Sequence, residues 1–143
     1  MTTTTHTAQQ VTVAQERPTL LVPGLVAAIV AAVTTTAVAA LAMAAGVDFV
    51  FPRDGDEAIP LLGFTQVTFI LSMIGVLGAF ALRRWTARPA RTFLRLAVAL
   101  TALSLVPPSL VDADVSTRLT LVALHLLAAA IVVPVIVSRL DRP

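Results

Sequence analysis

Between Leu20 and Val47 the chain carries no charged residue. At about 1.5 Å per helical residue this run is longer than the ~30 Å hydrocarbon core of a bilayer. In lipid such a segment can satisfy its backbone N–H and C=O groups only within itself, so it is expected to form a helix, tilted or slightly overlong. Three further uncharged runs follow, at 58–82, 96–111 and 119–138. The third reaches the ~20 residues of a span only if its helix starts near Thr92 and Arg95 extends its guanidinium to the headgroups. Spans are therefore expected at about 20–47, 58–82, 92–111 and 118–138. The fold class is all-α: a transmembrane four-helix up-down bundle occupying residues 20–140.

Composition agrees with lipid as the solvent. The chain is 57% hydrophobic and 13% charged, against roughly 25% charged in ordinary soluble domains. Residues 1–19 form a Thr/Gln-rich stretch with one Glu and one Arg, which is expected to be a disordered cytoplasmic tail. The first apolar run far exceeds the 7–15 residues usual in a signal peptide, so it is read as a retained span. Cysteine is absent, which excludes disulfides, thiol redox chemistry and Cys-ligated metal centres. Every basic residue is arginine, so a high isoelectric point does not by itself indicate a nucleic-acid surface, and no nucleic-acid partner is expected.

Charge in the connections sets the expected direction. Arg83, Arg84, Arg88, Arg91 and Arg95 lie between the second and third spans, whereas Asp48, Asp54, Asp56 and Glu57 against a single Arg53 lie between the first and second. By the positive-inside rule the arginine loop is cytoplasmic, which places the 48–57 loop and the 112–117 turn outside and both termini inside. Arg139 and Arg142 agree with this direction, and Trp85 beside Arg83 and Arg84 suits an interface. The same cluster is able to bind anionic headgroups or an acidic partner. Its plainer reading is topogenic, needing no ligand.

His125 is the one ionisable residue well inside a span, and polar groups at that depth usually face a bundle interior or cavity. Arg118 and His125 share a helix face about 10 Å apart in height. Ser104 lies about 12 Å below Asp112, and Gln66 about 9 Å below Pro60, by the same helical rise. The functional reading is a ligand-binding pocket open to the outside, lined by Gln66, Thr101, Ser104 and His125, with Arg118, Asp112 and Asp114 at its mouth. The alternative is that these groups simply hydrogen-bond across helices, at ~0.6 kcal/mol each. The other histidine, His6, lies in the polar tail, so no metal or haem site and no cofactor is expected. No intramembrane carboxylate accompanies His125 to complete a proton relay.

Thr34, Thr35 and Thr36 point in three directions 100° apart, so at least one is expected to face lipid or to return its hydroxyl to the carbonyl one turn earlier. Ala27, Ala28, Ala31 and Ala32 on the first span, and Ser72, Gly75, Gly78 and Ala79 on the second, are small-residue faces suited to close helix approach within one chain or between two. Pro107 and Pro108 are expected to break the third helix, and Pro134 to kink the fourth. No nucleophile–base pair, phosphate-binding glycine loop or paired catalytic carboxylates occurs at a recognisable spacing.

The Arg83–Phe93 segment, the Leu103–Pro107 segment and the Leu124–Pro134 segment together resemble a family of small four-span actinobacterial membrane proteins of unknown function. The resemblance covers roughly residues 20–140 and matches Ser104, His125 and Pro134 to the family pattern. It implies a four-helix membrane bundle and carries no activity, ligand or partner. The expected role is non-catalytic, in the inner (plasma) membrane: binding a membrane-protein partner, a second copy or a small lipophilic ligand. The alternatives are an oligomeric small-solute channel or carrier built around His125, and, as the third, a membrane enzyme whose cofactor or metal is supplied by another chain.

Overall fold

The computed structural model describes residues 20–50, 58–106 and 114–141. The expected tail, Asp54, Asp56 and Glu57, the Pro107–Pro108 break, Asp112 and Arg142 lie outside the described residues. Four helices make up almost all of what is described: α1, Leu21–Ala44; α2, Leu61–Trp85; α3, Pro89–Ser104; and α4, Val115–Leu140. Of these, α1, α2 and α4 are long and apolar enough to cross a membrane. Helix α3 has 16 residues, about 24 Å at the standard rise.

Helix limits follow local chemistry rather than charge. Helix α1 stops before the end of its uncharged run because Gly46 adopts φ 93°, a conformation that costs glycine little. The Val47 N–H donates to the Ala42 carbonyl and the Gly46 N–H to that of Met43, both at 3.0 Å, which closes the helix with a Schellman motif. Pro60 holds an extended conformation in front of α2, and residue 58 pairs with residue 50 in an isolated antiparallel bridge. At its other end α2 continues through Arg83, Arg84 and Trp85, since arginine is a good helix former and complements the negative end of the helix dipole. Helix α3 begins at Pro89, three residues before the expected Thr92, because proline fits the first helical position, where no N–H bond is lost. Helix α4 runs unbroken through Pro134.

On α1 the inward face is made of small side chains and the outward faces carry large ones. On α1 the buried positions are Gly24, Ala27, Ala28, Ala31, Ala32, Thr35 and Ala39, spaced as one helix face. Val22, Val33 and Leu41 on its other faces are 64%, 62% and 70% exposed. In a bilayer, lipid tails solvate such side chains as well as a protein core would, and close backbone approach is what holds helices together. Helix α2 meets this face with Ser72, Val76 and Ala79. Gly75 and Gly78, expected to share that role, lie off the contact, and a Cβ at either would meet nothing within 4 Å. The close approach is instead provided from α1, where Val76 seats against Gly24.

Helix α1 packs most extensively on α2 and then α4, α3 packs on α4 and α2, and α2 touches α4 least. The core joins Leu20, Ala31, Val76, Ala79, Ala90, Phe93, Val132, Ile136 and Leu140. It thereby brings the start of α1, the first turns of α3 and the last turns of α4 together. Phe49, fully buried, packs edge-on to Phe64 at a centroid distance of 5.0 Å.

Candidate functional site

Because α2 and α4 barely meet away from that core, a cavity of about 300 Å³ opens between them, in the range of small-molecule pockets. Helix α1 closes one side with Thr35, while Phe64, Thr68, Leu71 and Ser72 of α2 face Leu121, Leu124, His125 and Ala128 of α4. Its walls are mostly hydrocarbon.

The polar groups differ in how far they are already satisfied. The Thr35 hydroxyl is 2.8 Å from the Ala31 carbonyl, 3.1 Å from that of Ala32 and 3.2 Å from the Thr68 hydroxyl. At the next residue, the Thr36 hydroxyl lies 2.8 Å from the Ala32 carbonyl and 2.7 Å from the Thr65 hydroxyl. These two threonine pairs stitch α1 to α2, and both α1 hydroxyls also return to carbonyls one turn earlier, as the sequence suggested. Ser72 is 8% exposed and lines the cavity with no hydrogen-bond partner among the described residues. His125 is half-buried, with Nδ1 2.8 Å from the Leu121 carbonyl of its own helix.

Of the residues singled out from sequence, His125 lines this cavity. Thr101 lines a separate, almost wholly apolar cavity of about 450 Å³ between α3 and α4, together with Ala97, Ala130 and Pro134. The Ser104 hydroxyl donates to the Thr101 carbonyl at 2.8 Å within α3. Gln66 is exposed on α2, and Arg118 is half-buried in the first turn of α4. The five therefore do not gather around one space. Thr68 was not singled out in the sequence; the signal for it is the Thr65, Thr68, Ser72 stripe at helical spacing on α2. Among the described residues no three His, Asp or Glu side chains come together in a way that could hold a metal ion.

The model of a family of unknown function, DUF6069, matches residues 15–142. The chain belongs to this family. The match spans all four helices and both cavities, so the arrangement around His125 lies within the DUF6069 region. No curated protein and no solved structure matches the chain.

Proposed function

We propose that this DUF6069 protein is a non-catalytic, multi-pass protein of the inner (plasma) membrane that binds a small lipophilic molecule between α1, α2 and α4. The observation carrying this reading is the α2–α4 cavity: about 300 Å³, walled by Phe64, Leu71, Leu121 and Leu124, with a few polar groups at fixed places. That combination of apolar wall and sparse polar groups is the usual make-up of a small-molecule site.

In this reading the four helices run up and down with both termini in the cytoplasm. Support comes from the core that joins Leu20, Ala90, Phe93 and Leu140. It groups the start of α1 and the end of α4 with the first turns of α3, next in sequence to Arg83, Arg84, Arg88, Arg91 and Arg139, an excess of positive charge of the kind retained inside. Reporter fusions test the direction: a fusion at the C-terminus is expected to be active only with a cytoplasmic reporter.

Native mass spectrometry of the protein released from lipid nanodiscs tests the binding. Wild type is expected to retain a discrete small-molecule mass, and Ala128→Phe, which fills the cavity from α4, is expected to lose it. Equal, bare masses for both would refute a binding role for the cavity.

A further inference from the structure

The hydrogen-bonding state of the cavity walls restricts what its occupant can be. A carbonyl oxygen can only accept, so the His125 Nδ1 that lies 2.8 Å from the Leu121 carbonyl carries the hydrogen. In the neutral ring this leaves Nε2 as a bare acceptor. With Nδ1 turned to its own backbone, the Nε2 edge of the ring points away from the axis of α4, and His125 borders the cavity. Thr35 offers little more, since its hydroxyl is already held by the Ala31 and Ala32 carbonyls and by Thr68. Ser72 is the opposite case: more than nine-tenths buried, facing the same space, and without a partner among the described residues. The cavity therefore presents one acceptor from α4 and one unspent hydroxyl from α2, in apolar surroundings where an unmade hydrogen bond is costly.

We infer that the ligand is a lipophile bearing a hydroxyl group, which donates its hydrogen to His125 Nε2 and accepts one from the Ser72 hydroxyl. This rests on the cavity being a binding site, as proposed above, and it names the chemistry of the occupant. An alcohol does both tasks with a single oxygen. An ether or ester of the same shape brings only acceptors, sets a lone pair against Nε2 and leaves it unmatched. A carboxylate adds a charge, and no arginine or lysine is among the residues lining the cavity to neutralise it.

The test uses the full chain in nanodiscs with 4-fluorophenylalanine at Phe64, a wall residue, so that its fluorine resonance reports occupancy. Octanol, octyl methyl ether and octanoate are titrated separately, compared at equal mole fraction in the membrane. Octanol is expected to shift the resonance at about tenfold lower concentration than the ether, the difference of one hydrogen bond made or missed, and octanoate is expected to be weaker still. In ¹⁵N spectra octanol alone is expected to move the His125 Nε2 signal. Ser72→Ala and His125→Leu are each expected to bring the octanol-to-ether ratio close to one while both probes still bind. Equal binding of octanol and ether to wild type, both blocked by Ala128→Phe, would overturn the hydroxyl requirement and leave the lipophile site standing. No response to any probe would remove the site itself.

Discussion

The contact between Gly24 and Val76 makes the strongest quantitative claim about what holds these helices together. A Cβ at position 24 would sit 2.7 Å and 2.8 Å from the two Val76 methyls and 3.4 Å from the Val76 Cβ. Carbon atoms in good contact lie about 3.5–4.0 Å apart, so Gly24→Ala overlaps both methyls by roughly 1 Å. Val76 is fully buried, and a rotamer change moves one methyl away from position 24 but leaves the other in place. Relief requires α1 and α2 to part, at about 1–3 kcal/mol. The single variant hides some of this, because alanine gains about 1 kcal/mol of helix propensity over glycine. A double-mutant cycle with Val76→Ala separates the two effects. Deleting both methyls leaves only the 3.4 Å contact, while the propensity gain is common to both backgrounds and cancels. Reversible unfolding by sodium dodecyl sulfate in mixed micelles, followed by circular dichroism, gives the free energies. Gly24→Ala is expected to be less favourable by about 1–3 kcal/mol in the wild-type background than in Val76→Ala. Additivity within about 0.5 kcal/mol would refute close approach at this point as the basis of α1–α2 packing. Gly75→Ala is the control: with nothing within 4 Å of its Cβ, it is expected to be neutral or to stabilise by up to about 1 kcal/mol.

Three further outcomes follow from the same structure. Phe49→Ala removes a fully buried ring that packs on Phe64 and is expected to cost about 3–5 kcal/mol in the same unfolding assay; a loss under 1 kcal/mol would argue against burial of that ring. Thr36→Val and Thr65→Val delete the 2.7 Å hydroxyl pair, and each is expected to cost only about 0.6 kcal/mol, with the double variant costing no more than either. Trp85, the single tryptophan, is 81% exposed at the end of α2. Its fluorescence is expected to be quenched more strongly by lipids brominated near the glycerol backbone than by lipids brominated at the chain ends; the reverse order would move the end of α2 away from the interface.

The sequence made the helices and their approximate limits legible, because uncharged length is a direct consequence of bilayer thickness. It also picked out the alanine face of α1 and placed His125 well inside the fourth helix. It did not show which way each helix turns. In a soluble helix polar and apolar faces reveal rotation about the axis, but here the exposed Val33 and Leu41 are as apolar as the core, and that signal vanishes. Depth counting placed Gln66, Ser104 and His125 at comparable levels, yet depth leaves direction open: Gln66 is exposed, and Ser104 bonds within α3. The glycine pair of α2 misled for the same reason. Gly75 and Gly78 look like a packing face by composition, while the contact is made by Ser72, Val76 and Ala79.

The alanine stripe of α1 also determines how the protein meets a guest. Alanine has no side-chain torsion to adjust, and ordering it costs no rotamer entropy. The surface that α1 turns toward α2 and α4 therefore has a single shape, and Thr35, where that surface reaches the cavity, is pinned by two carbonyls. Phe64, Leu71 and Leu124 on the opposite walls keep their rotamers to spend. Adaptation to molecules of different girth thus falls to α2 and α4, against a side that acts as a fixed gauge.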